Sequence, residues 1–221
     1  MKERPILFNA VMVNAILEGR KTQTRRIMRR QPDDVERFYR GESTTDTDAR
    51  HAILRCYNKP KGFKSCNSGW LGHATYKTPF TEFRVGDRLW VRETFMDLSG
   101  TGVEHRDSEG KLQRFAYAAD CPKGSYGDEM RKEFGLKWKP SIHMPRSACR
   151  IVLEITKIRV EQLQDISESD CLKEGVGSPI LRDCKKPKFM QLWESINGMD
   201  SWTVNPWVWV VEFKVIQGGK A

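Results

Sequence analysis

Six basic side chains, Arg20, Lys21, Arg25, Arg26, Arg29 and Arg30, fall within eleven residues of this chain. Charges at that spacing suit phosphate or nucleic acid, because polyanions carry many charges at short intervals. The alternative is a solvated basic face with no ligand. Thr22 and Thr24 sit among the basic residues and can hydrogen-bond to a phosphate oxygen. Further on, His143 lies in the segment PSIHMPR, close to Arg146 and Arg150. It suits a phosphate contact or a role in RNA cleavage, against the plainer reading of a surface histidine. Trp90 and Trp138 are candidates to stack on a base, with core packing as the alternative, and Arg92 stands two residues beyond Trp90 as another ligand contact. Cys56, Cys66 and His73 offer three metal ligands, but their spacing matches no tight zinc pattern. No metal and no cofactor is expected.

The composition agrees with an anionic partner. Formal net charge is +9 over 221 residues. That length suits one domain, 1–221, carrying insertions, and it buries enough surface to fold without staples. The opening MKERPILFNA has no apolar h-region, and no stretch approaches the ~18 apolar residues of a membrane span. A cytoplasmic protein with Cys56, Cys66, Cys121, Cys149, Cys171 and Cys184 as free thiols is expected. Nothing in the sequence speaks to its oligomeric state.

The elements that must position these residues read as follows. Pro5 to Phe8 is a short strand. Asn9 caps a helix with Met12, Ala15, Ile16 and Gly19 on one face, and Gly19 ends it, leaving GRKTQTRR irregular or extended. Polar residues, glycines and prolines dominate from about 31 to 80, which reads as a long insertion. Val85, Gly86 and Asp87 turn into a strand where Leu89 and Val91 alternate with Arg88, Trp90 and Arg92. A second polar insertion spans about 97–139, broken by the strand-like RFAYAA. Cys149, Ile151, Leu153 and Ile155 mark another strand, whose phase slips near Lys157. Ser167 and Asp170 form a capping box, Ile166 and Cys171 its staple, and Gly175 the stop. A helix is expected from Pro187 to Asn197, and a last strand from Trp207 to Ile216. The pattern is α+β, a small barrel with flanking helices.

Three segments, in order, resemble the ASCH family of the PUA-like superfamily. AILEGRKTQTRR (Ala15 to Arg26) is similar to its helix followed by G-x-K-T-x-T-x-R. FRVGDRLWVRE (Phe83 to Glu93) is similar to its G-D-x-L-x-V strand entry. VEQLQDISESDCLKEGV (Val160 to Val176) with VWVVEFKVI (Val208 to Ile216) resembles its helix and closing strand. The whole looks like the larger phage and prophage members, which would place it in a host cytoplasm.

The resemblance implies a PUA-like β-barrel with GRKTQTRR at its mouth. It implies RNA, a nucleotide or a modified nucleoside as partner, DNA being a further option, held by Arg20, Thr22, Arg25, Arg26, Trp90, Arg92, His143 and Arg146. Some small bacterial members are amidohydrolases of N4-acetylcytidine. Carried over by motif, the lysine base falls on Lys21, the threonine nucleophile on Thr24 and the glutamate acid on Glu174. A hydroxyl needs such a base, and a lysine base needs burial and neighbouring cations to bring its pKa toward neutrality. An acid near a helix C-terminus is favoured in its protonated form. The alternatives are a non-catalytic RNA- or DNA-binding module, a ribonuclease, or a phage protein acting on a host partner.

Overall fold

The computed structural model describes residues 1–28, 31, 85–103, 105–106, 110, 112–177 and 185–218. In chain order its elements are β1 (Glu3–Leu7), α1 (Ala10–Leu17), β2 (Gln23–Ile27), β3 (Arg88–Arg92), β4 (Phe95–Asp97), β5 (His105–Arg106) and β6 (Leu112–Gln113). β7 (Phe115–Tyr117), α2 (Tyr126–Glu133), β8 (Val152–Gln162), α3 (Glu168–Lys173), α4 (Lys185–Asn197) and β9 (Trp207–Gln217) follow. The class is α+β. Two compact units are formed, one from Met1–Lys21, Gly86–Glu154 and Lys214–Ala221, the other from Thr22–Val85 and Ile155–Phe213.

In the first unit β1 runs parallel to β3, with Glu3 beside Arg88, Pro5 beside Trp90 and Leu7 beside Arg92. β3 then pairs antiparallel with the start of β8. Leu89 and Val91 are buried while Arg88, Trp90 and Arg92 are half-buried, the two unlike faces that alternation implies. Pro5 has no N–H to give a ladder and suits a strand paired on one side. Asn9 starts α1 by accepting from the Met12 N–H at 2.9 Å. Gly19, at φ 75°, ends the segment in the left-handed region that a side chain would resist. The buried stripe of α1 is Val13, Ala15 and Ile16, so Met12 and Gly19 are more exposed than expected.

The stretch 97–139, expected as a polar insertion broken by a strand, carries more secondary structure than that strand. It supplies β5, β6, β7 and α2 to this unit. Phe115 and Tyr117 pack on a core of Phe95, Met144, Ala148, Cys149 and Val152. Polar composition concealed this because β7 contributes only three residues, and α2 is held by its Ser125 cap and the Asp128–Arg131 pair rather than by an apolar stripe. Apart from Gln31, the insertion expected at 31–80 lies outside the described residues.

In the second unit β2 lies antiparallel to β9, from Gln23 beside Glu212 to Ile27 beside Val208. Thus the second half of GRKTQTRR is strand. Leu163, Ile166, Cys171, Phe189, Trp193, Val208 and Val210 form the core. Four successive residues of β9, Val208 to Val211, are buried, so both faces of this strand are covered. α4 begins two residues before its expected start. Among the described residues no closed barrel is formed: each unit has open strand ladders, β1 meeting only β3 and β2 only β9. Nor is any helix among them long and apolar enough to cross a membrane.

α3 is six residues long and depends on its ends. Ser167 Oγ accepts from the Asp170 N–H at 3.1 Å. Glu174 forms the C-cap, and Gly175 follows at φ 86°. Ser167→Ala is expected to cost about 1 kcal/mol and to lower the melting midpoint by roughly 2–4 °C. An unchanged melt would mean that this hydroxyl does not hold the helix start.

Candidate functional sites

β2 carries a row of polar residues into the second unit. Gln23, Thr24 and Arg25 are each no more than 2% exposed. A buried guanidinium is costly unless its donors are met, and here they are met by carboxylates. Arg25 Nε donates to Glu161 at 3.0 Å, Nη1 to Glu174 at 2.9 Å and Nη2 to Asp170 at 3.3 Å. Nη2 also donates to Glu161. Arg159 continues the network, donating to Glu161 at 3.1 Å and Asp170 at 3.0 Å, and pairing with Glu212. Gln23 ties the strand to α3 by donating to the Asp170 carbonyl at 3.0 Å.

The electrostatics follow. Burial works to lower the pKa of Arg25, but Glu174 and Glu161 outweigh it and hold the group above its ordinary value. Burial would raise Asp170; Arg159, Arg25 and Lys173 together keep it below the usual carboxylate range. Arg26 is pushed down by burial against the pull of Glu174, yet a guanidinium stays charged at neutral pH. Arg26 Nη1 donates to Thr24 Oγ1 at 2.8 Å. Cys171, beneath this network, is driven by burial to about 11 and is an inert thiol.

Expected site residues therefore meet in part. Thr24, Arg25, Arg26 and Glu174 belong to one set of polar contacts in the second unit. Arg25, however, does not stand on a solvated basic face: all three of its nitrogens are taken by carboxylates. Thr22 is exposed, its N–H donating to the Lys173 carbonyl at 2.8 Å. Lys21 belongs to the first unit, where it is buried with its ammonium 5.7 Å from the Phe8 ring centre. Arg20 is exposed and donates to Glu18 at 2.6 Å. Arg29, Arg30, Cys56, Cys66 and His73 lie outside the described residues, and among those described no group of three His, Cys, Asp or Glu could hold a metal ion.

A second set gathers on the first unit. The guanidinium carbons of Arg92 and Arg146 lie 5.3 and 5.8 Å from the Trp90 ring centre, within cation–π range. Arg92 donates to the Ile142 carbonyl in the turn Ser141–His143, where His143 is exposed. Arg146 forks onto Glu3, Nε to Oε2 at 2.9 Å and Nη2 to Oε1 at 3.0 Å. Glu3 is held below the usual carboxylate range, chiefly by that hydrogen bond. Arg88 shares the strand face of Trp90 and Arg92. Alternation could have revealed Arg88, but Glu3 enters only through the register of β1.

One partly buried clamp joins Arg150 to partners far away in sequence. Arg150 forks onto Glu93 at 2.8 and 2.9 Å and onto Asp120 at 2.6 and 3.1 Å. Its guanidinium lies 4.0 Å from the Tyr117 ring centre. Burial raises Glu93 despite Arg150, and raises Tyr117 to about 12. Every nitrogen of Arg150 is engaged, so this arrangement locks β3 to the chain entering β8 rather than awaiting a ligand.

Arg25→Met should destabilise the protein by about 3–5 kcal/mol in urea unfolding at pH 7, since Glu161 and Glu174 would stay buried after losing the guanidinium they share. A loss below about 1 kcal/mol would show that the pairing is not what holds this polar core.

No protein-family model matches the sequence, and no curated protein does. Among solved structures, an ASCH domain from Lactobacillus crispatus JV V101 aligns at a TM-score of 0.40 and 12% identity, over 98% of this chain and 80% of that one.

Proposed function

We propose that this protein is a non-catalytic module for single-stranded nucleic acid, RNA being the class that the ASCH resemblance implies, and that the arginine–tryptophan face of the first unit receives it. The observation that carries this reading is Trp90 with the guanidiniums of Arg92 and Arg146 held over its ring. Cation–π contact of about 0.5–2 kcal/mol fixes the planes of two otherwise long and mobile side chains. Guanidiniums so fixed lose less entropy on meeting a phosphate, and their flat faces can also stack on an unpaired base. With Arg88 beside them and exposed Leu7 and Ile142 at hand, the face offers both charge and apolar contact. Trp90 acts here as the support of the arginines rather than as the stacking platform itself.

Each phosphate met on a single strand contributes about 0.7 to the slope of log affinity against log salt. Arg92→Ala and Arg146→Ala should each weaken binding of a ten-nucleotide RNA and each lower that slope by about 0.7. A double variant that keeps its fold by circular dichroism and binds with the parent slope would exclude this face.

A second reading, hydrolysis of an acylated cytidine, draws on the burial of three polar side chains, Lys21, Thr24 and Glu174. It also draws on the Thr24 hydroxyl accepting from Arg26, which leaves the hydroxyl proton available to a base. Lys21→Arg separates the readings. Arginine keeps the charge but cannot surrender a proton near neutral pH. Mass spectrometry should find no deacylated product from parent or variant if the protein only binds; product from the parent alone would favour the hydrolase.

A further inference from the structure

We propose that Glu3 is a specificity-determining residue, a built-in competitor that occupies the Arg146 fork in the free protein and is displaced when a phosphate of the nucleic acid arrives. This rests on the reading of the arginine–tryptophan face as the binding surface. Its starting point is the register of a parallel strand pair. Glu3, Pro5 and Leu7 alternate with the less exposed Arg4 and Ile6, so they share one face of β1. Parallel pairing sets them beside Arg88, Trp90 and Arg92 in turn. The lone carboxylate of that row therefore faces a row of arginines.

Glu3 is not a loose terminal residue. The Lys2 N–H donates to Asp87 Oδ1 at 2.7 Å, and the Arg88 N–H donates to the Lys2 carbonyl at 2.8 Å. These contacts fix the backbone on its N-terminal side. Its carboxylate takes both oxygens to Arg146, at 2.9 and 3.0 Å, the planar fork that a phosphate with two free oxygens also satisfies. Both side chains remain open to water, 45% for Arg146 and 36% for Glu3. Ion pairs this exposed add little net stability, so exchanging carboxylate for phosphate sacrifices little. A single weak anion gains little by that exchange. A strand that meets Arg92 at the same time does gain, and the carboxylate thus discriminates in favour of polyanions.

The experiment uses a fluorescein-labelled ten-nucleotide oligouridylate and the full chain, read by anisotropy between about 0.05 and 0.2 M salt. Glu3→Gln keeps the shape of the side chain and removes its charge. It should tighten binding about three- to tenfold while leaving the salt slope within about 0.3 of the parent's, because Arg146 meets a phosphate in both and only the displacement of Glu3 is saved. In Glu3→Gln combined with Arg146→Ala the gain should vanish, because the two residues act through one contact. Glu3→Gln that binds like the parent or more weakly, while Arg146→Ala still weakens binding, overturns the competitor role and leaves the binding face standing. Binding indifferent to Arg92→Ala with Arg146→Ala overturns both.

Discussion

Arg25 is a cation withdrawn from water, and the second unit is arranged around keeping it paired. Withdrawing an ion costs several kcal/mol even after relaxation. A unit charge at 4 Å returns about 4 kcal/mol at an effective dielectric of 20. One carboxylate would leave the sum near zero; Arg25 has Glu161 and Glu174 in hydrogen bonds and Asp170 behind them. The net gain is modest, but the geometric demand is not. Glu161 comes from β8, Asp170 from α3 and Glu174 from its cap, so satisfying one guanidinium fixes three positions along the chain at once.

The same residue type does different work elsewhere because its partners differ. Arg150 is saturated by two carboxylates and lies over the Tyr117 ring, so it serves as a rivet. Arg92 and Arg146 rest on an aromatic ring and stay partly open to solvent. A guanidinium whose donors are all taken inside the protein has nothing left to recognise. One held in place by a ring, with an exchangeable anion on its fork, has both order and spare donors. Burial and partner count, rather than charge, distinguish the arginines locked inside the protein from those left partly open.

Local features were legible in the sequence because they act over a few residues. Asn9, Gly19, Ser167 and Gly175 mark helix ends by their own side-chain or backbone chemistry, and each sits where that chemistry requires. The alternation at Leu89 and Val91 likewise gave both faces of β3. Long-range pairings left no such trace. Nothing in the composition of 97–139 announces that Tyr117 donates to the Ala148 carbonyl at 2.8 Å. Nor does ERPIL announce a parallel partner eighty-odd residues away. Among the described residues no closed barrel forms, and the sequence could not show this, since closure depends on which edges meet and strand patterning records only which face is wet.

The basic run at Arg20 to Arg30 shows why a cluster in sequence need not be a cluster in space. A strand sends successive side chains to opposite faces, so consecutive arginines cannot share one ligand without a turn between them. Arg20 lies in the exposed loop beside Glu18, Lys21 is buried beside Phe8, Arg25 is caged by carboxylates, and Arg26 turns to Thr24. Four neighbouring positive charges thus find four different environments. The cationic face that does assemble, Arg88, Arg92 and Arg146, comes from residues dispersed over the chain and is brought together by strand period and a turn. Net charge sets the long-range attraction for a polyanion. Which guanidiniums keep donors to spare is decided by the fold rather than by the run of basic residues.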